Sequence, residues 1–81
     1  MDTNFTTIEP GKYAADITLR SGAARRILVK KQQVGNPSAR GGAYMTRWMA
    51  YNGGLYVKVY GDTRKEAFEN AMADLTRRNM I

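Results

Sequence analysis

The sequence predicts an α+β fold: a single antiparallel β-sheet of three to four strands, built from two hairpins, with one C-terminal α-helix packed on one face. Three observations predict it. Residues 12–20 alternate apolar and polar at period two, the mark of a half-buried strand, and 43–60 hold two further strand-like runs. Asn52-Gly53-Gly54 divides the second of these stretches, and Asn-Gly is the strongest short-range hairpin signal. Residues 63–78 switch to helical spacing behind a capping box.

At 81 residues the chain makes one small domain. A domain of this size buries only about 60–65% of its unfolded surface, so its core is thin. A chain running from Met1 to Ile81 is expected to be a whole gene product. Residues 1–11 are polar and end in the breaker pair Pro10-Gly11, which predicts a loose arm with at most one short extended piece around Phe5 to Ile8. In 12–20, Tyr13, Ala15, Ile17 and Leu19 share a face opposite Lys12, Asp16, Thr18 and Arg20. Ser21-Gly22 supplies the turn into a second strand over 25–34, where Ile27 and Val29 share a face with Arg25, Lys31 and Gln33, and Leu28 sides with Arg26, Lys30 and Gln32. Residues 35–42, GNPSARGG, read as a flexible loop.

A two-residue type I′ loop at Asn52-Gly53 or Gly53-Gly54 places Thr46, Trp48 and Ala50 with Leu55, Val57 and Val59 on one face. Met45, Arg47, Met49 and Tyr51 then join Tyr56, Lys58 and Tyr60 on the other; a three-residue loop would reverse one strand against its neighbour. In the helix, Ala67, Phe68, Ala71, Met72 and Leu75 form one apolar stripe. Lys65–Glu69 and Asp74–Arg78 are i,i+4 pairs, and Asn79-Met80-Ile81 is expected to fray. The helix needs the face with Trp48, Leu55, Val57 and Val59, joined by Ile17, Leu19, Ile27 and Val29.

Charge is the functional clue. The 45 positions from Ile17 to Gly61 contain eight cations and no acid, within a net charge of +6. Residues 61–81 balance four cations against four acids, so the positive field belongs to the sheet. Such a field attracts polyanions. On the face away from the helix, Arg47, Tyr51, Tyr56, Lys58 and Tyr60 interleave cation and aromatic, as phosphate contact and base stacking require. Arg25, Arg26, Lys30 and Lys31 widen the basic surface, although Arg25 and Lys31 oppose Arg26 and Lys30 in strand parity. Arg40, on the glycine-rich loop, is placed to reach a flanking phosphate. The plain alternative is that tyrosines and lysines dress an open sheet, pairing across strands and deterring aggregation.

Catalysis has little to work with. Histidine and cysteine are absent, so the commonest general base, the commonest metal ligand and the thiolate nucleophile are all missing. No P-loop or metal-ligand spacing occurs, and no cofactor is expected. Asp62 and Glu66 are explained by helix capping. Arg64-Lys65 opposes the dipole of the first helical turn; solvated charge and phosphate contact beside the helix start are the two roles open to it. No targeting signal is visible and no apolar run approaches the roughly 20 residues of a membrane span. The expected location is therefore the cytoplasm, of its own or a host cell.

Arg47-Trp48-x-Ala50, Asn52-Gly53 and Gly61-x-Thr63-x-x-Glu66-Ala67 together resemble the end of AP2-like domains and of the arm-type DNA-binding domains of phage integrases. The resemblance covers about a third of the chain; Asp62 departs from the aromatic usual there, and the 35–42 loop is foreign to the pattern. It implies a sheet that binds DNA on the face away from its helix, with Arg47 a contacting residue and Lys58 a second. The expected function is thus a small basic non-enzymatic protein whose sheet face contacts nucleic acid, duplex DNA first. The alternative is a small phage-type inhibitor or adaptor, similar to anti-CRISPR proteins, that uses Met45, Met49 and Tyr51 as anchors on an acidic host protein or nucleoprotein complex. A homodimer through exposed strand edges is a third possibility.

Overall fold

A computed structural model describes residues 5–35 and 44–81. It shows an open five-stranded antiparallel sheet in the order β1-β2-β3-β4-β5, with one helix packed on it. The strands are β1 (Thr6–Glu9), β2 (Lys12–Thr18), β3 (Ala24–Gly35), β4 (Tyr44–Asn52) and β5 (Val57–Gly61), and the helix α1 is Arg64–Arg77. The loop expected over 35–42 lies outside the described residues, apart from Gly35, which ends β3.

The fifth strand is the difference from the sequence reading. The short extended piece expected around Phe5 to Ile8 is a paired strand: Gly11 takes φ 79°, and the turn folds Thr6–Glu9 back onto β2, with Thr6 opposite Ala14 and Thr7 opposite Tyr13. Phe5 anchors it, packing edge-on to Phe68 at 5.7 Å and to Tyr13 at 6.3 Å between ring centroids. Arg64 completes this cluster. Its guanidinium carbon lies 4.5 Å from the centroids of both the Phe5 and Tyr13 rings. Two ring faces thus offset the unfavourable placement of a cation in the first helical turn. Arg64→Ala is expected to cost about 1–2 kcal/mol and to loosen β1, read as a lower Tm and faster amide exchange at Thr6 and Thr7.

The β4–β5 connection is longer than the two residues expected. Asn52 pairs with Val57, leaving 53–56 as the loop. Asn52 is extended at φ −153°, not in the positive region that a type I′ turn requires. Its side chain explains the change. The Asn52 carbonyl accepts from the Leu55 N–H at 3.1 Å and its amide donates to the Arg26 carbonyl at 2.8 Å. This caps one 3₁₀ turn over Gly53–Leu55, and Tyr56 takes the left-handed step at φ 53°. Two and four are both even, so the face assignment survives the change of loop length.

The helix begins where the capping box predicts. The Thr63 hydroxyl accepts from the Glu66 N–H at 3.0 Å, while the Glu66 carboxylate reaches back to the N–H of Asp62 at 3.4 Å. Ala67, Phe68, Ala71 and Leu75 are buried, with Met72 packed at the margin. They meet Ala15, Ile17, Ile27, Val29, Ala50 and Val57 from the sheet and Leu55 from the 3₁₀ turn, and Trp48 lies against Tyr13 at the edge of this core. The three C-terminal residues do not fray. Asn79 turns at φ 58°, the Arg20 N–H donates to the Met80 carbonyl at 2.7 Å, and Arg78 donates to the Leu55 carbonyl at 2.9 Å. No helix among the described residues is long and apolar enough to cross a membrane.

Candidate nucleic-acid interface

Strand register decides which side chains share the face away from the helix. One lateral row is Ala14, Leu28, Tyr51 and Lys58; the next is Lys12, Lys30, Met49 and Tyr60. Flanking them are the Asp16–Arg26 pair at one end and the Gln32–Arg47 pair at the other. Six of the ten sequence-predicted residues therefore stand together: Arg26, Lys30, Arg47, Tyr51, Lys58 and Tyr60. Arg25 and Lys31 are exposed but belong to the helix side of β3, as their parity requires. Tyr56 is a correction: it sits in the loop ahead of β5, 89% exposed, and is not part of the sheet face. Arg40 lies outside the described residues.

Met49, an anchor in the adaptor alternative, is buried instead. It is 6% exposed, set between Lys30 and Tyr60 in its row, where long side chains cover a central methionine. The Met45 side chain lies outside the described part. Ala14, on the same face, is 1% exposed, so the face has a thin apolar seam beneath its polar surface.

Cations and rings are coupled across this face. The Lys30 ammonium lies 5.6 Å from the Tyr51 ring centroid and the Arg47 guanidinium carbon 5.7 Å from that of Tyr60. These rings position the charges without neutralising them. They are correspondingly less free to stack on bases, so the chemistry offered is mainly donors for phosphate oxygens rather than a stacking platform.

Ion pairing is segregated. Lys65–Glu69 at 3.8 Å, Arg77–Asp74 at 2.8 Å and Arg78–Asp74 at 2.8 Å all lie on the helical segment. The hydrogen bond from Arg77, with the nearby Arg78 charge, holds the Asp74 carboxyl below the usual carboxylate range despite some desolvation. Among the described residues, Arg26–Asp16 at 3.0 Å is the one ion pair reaching the acid-free stretch. Glu69 and Asp74 are met within the helical segment, while Arg25, Lys30, Lys31, Arg47 and Lys58 of β3–β5 carry no ion pair among the described residues. Lys65 and Arg64, considered for phosphate contact from the sequence, are held by Glu69 and by the two rings. The described residues hold no group of three metal-ligating side chains.

The β3–β4 hairpin also outruns its neighbours. Pairing with β2 ends at Lys12–Lys30 and pairing with β5 at Trp48–Gly61, while β3 and β4 continue together to Gly35–Tyr44. From Gln32 to Gly35 the hairpin is a two-stranded ribbon, roughly 13 Å long at 3.3–3.4 Å per residue. Lys12 is the basic residue of the open face that composition alone did not single out. A two-residue Ser21-Gly22 turn would set Lys12 opposite Lys31; the three-residue turn over 20–22, closed by the Leu19 N–H donating to the Ala23 carbonyl, sets it opposite Lys30.

Among known proteins, no family model matches this chain, and no curated protein or solved structure matches it.

Proposed function

We propose that the protein is a small non-enzymatic nucleic-acid-binding protein that lays its open sheet face on the backbone of duplex DNA. The observation that carries this reading is the charge segregation: ion pairs and the cap take up the helix acids Glu66, Glu69 and Asp74, while Lys30, Arg47 and Lys58 share one face with no acid on β3, β4 or β5 to meet them. Cations that meet phosphates release counterions, which supplies affinity without sequence information. The projecting ribbon supports the same reading, since two antiparallel strands fit a major groove. The resemblance of residues 47–75 to AP2-like and integrase arm-type domains agrees with it, because there too the bound face is the one away from the helix.

The test is fluorescence polarisation with labelled duplex DNA, single-stranded DNA and RNA at several salt concentrations. With about five phosphates engaged, log K falls with log salt at a slope near −4 to −5. Duplex is expected to bind tighter than single strands, because the tyrosine faces are occupied by cations. No salt-dependent affinity for any of the three would sink the proposal.

The adaptor reading, in which the chain inhibits a host protein, draws support from Tyr56. A bulky residue held at positive φ and almost wholly exposed is an uncommon combination, and aromatics of this kind anchor interfaces. The burial of Met49 removes one of the anchors that reading requires. A protein partner retained from nuclease-treated host lysate, and lost with Tyr56→Ala, would favour it.

A further inference from the structure

Where β2 ends and β3 runs on into the ribbon, the sheet has a notch. Glu9, Pro10, Gly11, Lys12, Lys30, Lys31 and Gln33 surround a space of ≈ 490 Å³. Its construction is electrostatically unfavourable in the unliganded protein. The Lys31 N–H donates to the Gly11 carbonyl at 2.8 Å, which makes Lys12–Lys30 the following, non-hydrogen-bonded pair. Side chains stand closest at such positions, and like charges directly opposite destabilise a sheet. Lys31, whose side chain belongs to the helix side of β3, lines the same open edge from the opposite face and adds a third cation. Glu9 is the one carboxylate in the lining, so the notch holds three positive charges against one negative, a net +2. Lys30 leans its ammonium over the Tyr51 ring, a weak resting place on the strand away from Lys12.

The backbone points the same way. Lys31 directs its N–H toward the β2 side, so Gln33, two residues on, does likewise, and β2 no longer runs beside it. A donor on a free strand edge next to three lysines suits an oxyanion. The space falls within the range of ordinary ligand sites and admits more than one linked phosphate.

We infer that this notch is a phosphate-binding site, formed by Lys12, Lys30 and Lys31 with the free β3 edge at Gln33. As the seat of a backbone phosphate it rests on the nucleic-acid reading; as a seat for free polyphosphate it does not. The notch opens beside the ribbon root and is continuous through Lys30 with the basic face, so a strand crossing that face passes over it.

The experiment follows backbone amide shifts of the full chain during titration with sodium tripolyphosphate, alongside duplex-DNA polarisation. The pair Lys12→Gln/Lys31→Gln is compared with the parent, with Lys65→Gln, on the helix beside Glu69, as a control outside the basic face. Expected are shifts centred on Gly11, Lys12, Lys31 and Gln33, lost in the double variant and kept in Lys65→Gln. Duplex affinity of the double variant is expected to fall about tenfold, with a salt slope flatter by about two. Its Tm at low salt should equal or exceed that of the parent, since a repulsive pair is removed. Absent shifts, or shifts indifferent to the double substitution, overturn the notch whatever the duplex does. Tripolyphosphate held in the notch without any duplex binding keeps the phosphate site, assigns it free polyphosphate, and removes the nucleic-acid reading.

Discussion

Gly61→Ala is expected to lower the melting temperature by about 10–20 °C, corresponding to about 2–3 kcal/mol in a domain of this size. Gly61 closes β5 and is buried beneath the start of the helix. A Cβ there would lie 2.4 Å from the Ala67 nitrogen and 2.8 Å from the Glu66 carbonyl carbon. Both are backbone atoms of the first helical turns, so no side chain can swing aside; the helix itself must lift. That movement would disturb the Thr63–Glu66 cap and the fully buried Ala67 and Ala71 together. The cost is steric, since Gly61 is not among the residues at positive φ. Gly53→Ala is the matched control, because a Cβ there meets nothing within 4 Å. It should change stability by less than about 0.5 kcal/mol. Thermal melts by circular dichroism decide the matter. A Gly61→Ala protein melting within about 2 °C of the parent would refute the close packing of strand on helix.

Reversing two charges on the open face should have the largest effect on binding. Arg47→Glu/Lys58→Glu is expected to weaken duplex-DNA affinity about a hundredfold at fixed low salt, each reversal contributing about tenfold, or about 1.4 kcal/mol. The salt slope should flatten by about two. Arg47 and Lys58 are both exposed and carry no ion pair among the described residues, so stability should fall by no more than the Arg47–Tyr60 contact contributes, about 0.5–1 kcal/mol. Lys65→Glu changes net charge in the same direction from the helix side, where Lys65 faces Glu69. Its affinity should stay within about threefold of the parent, the residual being long-range field. A loss per reversed charge as large from the helix as from the sheet would show that net charge alone, rather than this face, governs association.

Much of the site could be read from residue order because strand parity is a local property. Arg26, Lys30, Arg47, Tyr51, Lys58 and Tyr60 share a face for the same reason that Ile27, Val29 and Ala50 share the other. The parity held even though the turn contained four residues instead of two. What failed were inferences about exposure. Met49 alternates as a surface residue does, yet neighbouring long side chains bury it. Tyr56 alternates as a strand residue does, yet the Asn52 side chain takes over the turn and moves it into the loop. Arg64 looked misplaced against the helix dipole until the rings of Phe5 and Tyr13, more than fifty residues earlier, came to lie beside it.

Sequence alone determined the alternation of β2 to β5, the capped helix with its apolar stripe and the acid-free run that makes the sheet basic. Each rests on near neighbours, whose spacing and charge can be read along the chain. Tertiary structure decided the fifth strand, the restrained C-terminus, the close seat of the helix on Gly61 and the lysine notch beside the ribbon. Each depends on groups far apart in the chain meeting at one place. A Phe5 ring on Phe68, an Arg20 amide on the Met80 carbonyl and a Gly11 turn against Lys31 follow from how the elements pack, and no local pattern encodes them.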